Sequence, residues 1–81
     1  MNSSPILIVP GEKKSIFFEI FFKSIKSNKI ISPLVLICNK KILFSEIKKN
    51  KFKQKIEIIN LNDVLKKKYF NKRIYAIDIN N

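Results

Sequence analysis

Few residues in this 81-residue chain could do chemistry, and their spacing narrows that chemistry further. There is no histidine and one cysteine, Cys38. A Ser-His-Asp triad, a Cys-His pair, a zinc finger and an internal disulfide are therefore all excluded within the chain. The acidic residues Glu12, Glu19, Glu46, Glu57, Asp63 and Asp78 form no DxD or ExxE pattern. Glu46 and Glu57 are expected to pair with nearby lysines, and Lys66-Lys67-Lys68 to form a solvated face. Cys38 ends an apolar run, which points to a packing role; a reactive thiol needs an electropositive, partly exposed site. The most specific segment is Pro10-Gly11-Glu12-Lys13-Lys14-Ser15. It joins an apolar run to an amphipathic one, and a loop feeding a helix start can hold an anion. It lacks the repeated glycines of a GxGxxG or Walker loop. No catalytic and no metal-ligating residue is assigned.

The elements that must position these residues follow from periodicity. Ile6 to Val9, bounded by Pro5 and Pro10, reads as a strand buried on both faces and hence central and parallel. Gly11 is expected to supply a positive φ in the turn after it. Ser15 is expected to cap a helix running to about Lys26, with Glu19 near its positive end. Ile16, Phe17, Phe18, Ile20, Phe21, Phe22 and Ile25 cover a very wide arc of that helix, wider than so small a domain can bury. A loop at Ser27 to Lys29 leads to a second buried strand, Leu34 to Cys38. Asn39 is expected to cap a second helix, Lys40 to Lys49, with Ile42, Leu43, Phe44 and Ile47 inward. A third strand covers Ile56 to Ile59. Asp63 opens a short helix to Phe70, with Val64, Leu65 and Phe70 inward. Arg73 to Ile79 is the last strand.

The fold class is thus α/β, a partial three-layer and mostly parallel sheet in the order β-α-β-α-β-(α)-β. Residues 1–81 form a single partial domain with no internal repeat. In such sheets ligands bind beyond the carboxyl ends of the strands, which marks Pro10 to Ser15 and Cys38 to Lys40 as the loops of interest.

Composition tempers the charge. Ile, Lys and Asn make up 41 of the 81 residues, while Gly, Ala and Arg occur once each. Residues with A/T-rich codons are in excess, as in host-restricted bacteria and some organelles. The net charge of +11 is then read mainly as lysine drift onto solvated positions, and nucleic acid is not an expected partner. No run reaches the roughly 20 apolar residues of a membrane span. The polar lead Met1 to Ser4 has no basic residue, so no signal peptide is read there. A cytoplasmic location is the expectation.

Ile6-Leu7-Ile8-Val9-Pro10-Gly11-Glu12, followed by Ser15-Ile16 and Glu19, resembles the opening of 4-hydroxythreonine-4-phosphate dehydrogenases of vitamin B6 biosynthesis. That family begins with a buried strand and Thr-Pro-Gly-Asp/Glu-Pro-Ala-Gly-Ile-Gly-Pro-Glu. Pro10, Gly11, Ile16 and Glu19 match it, and Glu12 fits its acidic position. Pro33 to Cys38 with Ile42-Leu43 also fits, so the resemblance spans residues 5–60. It implies the start of an isocitrate/isopropylmalate dehydrogenase-like fold. It further implies Gly11, Glu12 and Ile16 as a cofactor-binding loop, NAD or NADP with a divalent metal (Zn, Mg or Co) as cofactors, and a homodimer. The family's reaction oxidises and decarboxylates 4-phosphohydroxy-L-threonine. Ser15 and Phe17 replace two family glycines, Lys13 and Phe18 two prolines, and the family's metal-binding histidines have no counterpart. The chain alone is therefore expected to be inactive and to bind no cofactor, with a second polypeptide carrying the rest. The alternatives are a small basic α/β protein that binds RNA or an acidic protein, and a module whose Phe-rich helix docks on another subunit.

Overall fold

The computed structural model describes residues 4–27 and 30–79. The expected lead Met1 to Ser3 and most of the loop at Ser27 to Lys29 lie outside these residues. The elements are β1 (Ile6–Ile8), α1 (Lys14–Lys26), β2 (Leu34–Cys38), α2 (Lys40–Lys49), β3 (Ile56–Ile59), a 3-10 turn (Leu61–Asp63) and β4 (Ile74–Asp78). The four strands form one parallel sheet in the order β1-β2-β4-β3. The fold is α/β, as the alternating pattern implies.

Strand order explains the layers. The chain moves in one direction from β1 to β2 to β3, so crossovers of one hand put both helices on the same face. There Phe18, Phe21 and Phe22 of α1 and Leu43 of α2 pack on Leu34, Leu36 and Ile74. From β3 the chain steps back to β4, which sends that connection over the other face. Tyr69 and Val64 there pack on Val35, Tyr75 and Ile77. The alternation 34/36 against 35/37 is the period of two expected of a strand. The buried tyrosines keep their polar tips paired. Tyr69 Oη donates to the Val64 carbonyl at 2.6 Å, and Tyr75 Oη accepts from the Phe70 amide at 3.1 Å.

Several expectations are corrected. β1 is an edge strand, not a central one, and Ile6, Leu7 and Val9 are 48%, 59% and 67% exposed. The interior strands are β2 and β4, and β4 pairs with both β2 and β3. Its run Ile74–Ile77 is buried on both faces. Ser15 does not cap α1: the helix starts two residues earlier than expected, at Lys14, with Lys13 as an N-cap lacking a side-chain bond. Glu19 falls beyond the first turn and pairs with Lys23 at 3.2 Å. No helix runs from Asp63 to Phe70; a single 3-10 turn is followed by hydrogen-bonded turns back to the Asp63 carbonyl. Consequently Leu65 and Phe70 point outward and Tyr69 inward. On α2 Phe44 is outward. The Phe-rich face of α1 is taken up by its own sheet, leaving Ile16 and Ile20 exposed.

Candidate functional site

Parallel strands bring their carboxyl ends to one rim, and the loops after β1 and β2 meet there as expected. Between them lies a cleft of about 230 Å3 lined by Val9, Pro10, Lys14, Cys38, Asn39 and neighbouring apolar side chains. Cys38 and Asp78 are register partners at its base.

The start of α2 is closed off by its own chain. Asn39 caps it as expected, its Oδ1 accepting the Lys41 amide at 2.8 Å and the Ile42 amide at 3.4 Å. Asp78 Oδ1 accepts the Lys40 amide at 2.8 Å, which also sets a carboxylate at the positive end of the helix dipole. These amides are therefore not free for a ligand. The start of α1 has no side-chain cap and carries Lys13 and Lys14 instead. An anion would be attracted there, but no base or nucleophile accompanies it.

Cys38 is buried. Burial pushes its thiol above the ordinary 9.0, the Asp78 carboxylate pushes it further, and Lys14 offsets part of this. At neutral pH it is a protonated packing group, neither nucleophile nor metal ligand. Among the described residues no group of three or more His, Cys, Asp or Glu side chains could hold a metal ion.

Of the loop residues suggested by the resemblance, Gly11, Glu12 and Ile16 are all exposed, and none lines the cleft. A Cβ built on Gly11 meets nothing within 4 Å, and its φ is not positive, against expectation. The loop forms no tight cradle for a dinucleotide, and the residues present do not fit the implied metal either. No chemical step is assigned to either group.

Two polar features escape a reading of the sequence. Asp78 reaches the start of α2 across 38 positions, a contact with no local signature. Glu46 is buried between the helices rather than paired with lysine; it accepts from Ser15 Oγ at 3.3 Å and Asn50 Nδ2 at 3.4 Å. Its spacing from Leu43 and Asn50 places it on the inward stripe of α2, a signal that was legible. Glu57 does pair with a lysine, Lys67, whose ammonium also lies over the Tyr75 ring.

No family model, curated protein or solved structure matches the chain. Among the described residues no helix is long and apolar enough to cross a membrane.

Proposed function

We propose that this chain is the opening βαβαβ portion of an NAD(P)- and metal-dependent dehydrogenase of the 4-hydroxythreonine-4-phosphate type, and that it serves as scaffold rather than catalyst. The observation that carries the reading is the bare edge of β1. A strand with one unpaired edge whose side chains are apolar on both faces is an association hazard unless something pairs with it and covers it. A further strand on this edge would turn β1 into an interior strand, as its composition demands. A further layer on the Tyr69 face would cover Leu7, whereas Ile16 and Ile20 stand exposed on the opposite, helical face. The Pro10-Gly11-Glu12 turn then lies at the carboxyl rim, where ligands of such sheets bind. The cofactors, the homodimeric state and the cytoplasmic location belong to the enzyme as a whole.

The test is association. The purified chain is mixed with a dehydrogenase of this family from which the first βαβαβ segment has been deleted. Sedimentation should show a 1:1 complex, and Leu7→Lys should abolish it. The chain alone should reduce no NAD(P) with 4-phosphohydroxy-L-threonine and Mg2+ or Zn2+. Turnover by the chain alone, or no complex with the complementary segment, overturns the reading. A second reading, a small basic protein that binds RNA or an acidic partner, is favoured by the charge distribution at the opposite rim.

A further inference from the structure

The amino ends of the strands form a second rim, remote from the cleft beside Cys38. Three segments meet there: the end of α1, the run from the end of α2 into β3, and the turn before β4. In residues 23–27, 48–56 and 70–74 every charged side chain is Lys or Arg. Backbone bonds tie the turn before β4 to the chain entering β2, with Leu34 N donating to the Arg73 carbonyl at 3.0 Å and Lys72 N to the Ile31 carbonyl at 2.7 Å. Gln54 Nε2 also donates to the Lys72 carbonyl at 3.1 Å.

Two adjoining hollows on this rim share Gln54, Lys72, Arg73 and Ile74 as walls, the larger about 190 Å3. Arg73, the chain's one arginine, lies 5.7 Å from the ring centre of Phe70. Phe70 is 47% exposed. Lys72, one of the shared walls of this furrow, holds a left-handed φ of 64°. Codon bias accounts for many lysines. It does not account for the sole guanidinium, which walls both hollows, standing beside an exposed aromatic ring; the one carboxylate among the residues lining this furrow, Glu57, is neutralised by Lys67.

The geometry points to a binding site for single-stranded nucleic acid along this furrow, with Lys72 and Arg73 on phosphates and Phe70 stacking a base. Single-strand sites combine a cationic track with an aromatic platform. An acidic protein would use the charge and leave the ring idle. Here the arginine fork and the ring face one another, which suits a base and its phosphate together.

The test is fluorescence anisotropy of the full chain with labelled oligo-U and oligo-dT across a salt series. Lys72→Ala with Arg73→Ala should weaken binding and flatten the log–log salt slope by about 1.4 if each contacts one phosphate. Phe70→Leu, which keeps the bulk and removes the ring, should weaken oligo-U binding roughly fivefold or more. It should leave binding of polyphosphate, which has no bases, unchanged. Arg73→Lys should resemble Phe70→Leu. Lys40→Ala with Lys41→Ala, on the other rim, should change affinity and slope much less. Equal losses from the two double variants, or equal effects of Phe70→Leu on oligo-U and polyphosphate, would mean a generic polycation and overturn the assignment.

Discussion

Phe18 and Ile20 stand two residues apart in the same apolar arc of α1, yet the fold treats them oppositely. Phe18 is fully buried between α1 and the sheet, whereas Ile20 is 60% exposed. The Phe18 ring packs edge-on against Phe17 at 5.1 Å and is stacked with Phe22 at 5.7 Å. Truncating it to alanine removes a fully buried ring at the centre of the larger core cluster. Phe→Ala at such a site costs about 3–5 kcal/mol. A domain of this length has a total stability of roughly 4–12 kcal/mol. Phe18→Ala should therefore leave the chain marginally folded or unfolded. Ile20→Ser alters a mostly solvated side chain with nearly the same helix propensity, and should stay within about 0.5 kcal/mol. Urea unfolding followed by far-UV circular dichroism separates the two. With a slope of about 1.5 kcal/mol per molar, Phe18→Ala lowers the midpoint by roughly 2–3 M and Ile20→Ser by less than about 0.5 M. Comparable shifts would mean that α1 is rotated from its described orientation, and the exposed flank on which the association argument rests would vanish with it.

Asn39→Ala removes the acceptor for two amides at the start of α2 and should cost about 1 kcal/mol by urea unfolding. Because the folded chain holds the Cys38 thiol above 9.0, the proton is bound more tightly in the native state. That contribution is fully present below pH 9 and is lost as pH rises from 9 through the raised value, so Cys38→Ser should flatten the alkaline limb of a stability–pH profile. Lys51 ends α2 in a left-handed conformation with φ 54°, the Phe52 amide bonding back to the Ile47 carbonyl at 3.0 Å; Lys51→Gly should raise the urea midpoint by an amount equivalent to about 0.5–1 kcal/mol. Gly11→Ala, at a position with open space and no positive φ, should be neutral or stabilising by up to about 1 kcal/mol.

What was legible in the sequence depended on how local its cause is. β2 and α2 are read to the residue because Pro33, Asn39 and the apolar runs are punctuation within one turn of chain. The stretch from Asp63 to Phe70 was misread for the opposite reason. Asp63 looks like a cap, but the segment must cross the sheet quickly enough to bring Tyr69 edge-on to Tyr75, ring centres 5.1 Å apart. A helix would have consumed that length at only 1.5 Å per residue. Turns cover the distance and hide Tyr69 instead of Leu65. Phe44 was misjudged for a subtler reason. Leu43, Glu46 and Ile47 define the inward stripe of α2, and hydrophobicity alone favoured Phe44 over Glu46, although the helical period places it off that stripe.

Strand order lies beyond any local signal, and two strands of the sheet show why. β1 and β4 both carry continuous apolar residues, and composition alone makes both interior. The fold grants that to β4 alone, because the third crossover steps back between β2 and β3 and gives β4 a neighbour on each side. β1 keeps an interior strand's composition at an edge position. Edge strands are ordinarily protected by charge, proline or a bulge. This one has only Pro5 and Pro10 at its limits, and its exposed side chains are uncharged in a chain of net charge +11. Other apolar side chains stand exposed as well, Leu61 and Leu65 after β3 among them, so exposure alone does not set β1 apart. What sets it apart is the free hydrogen-bonding edge beside its own apolar side chains, and a strand of that composition at such an edge is the feature on which the proposed association rests.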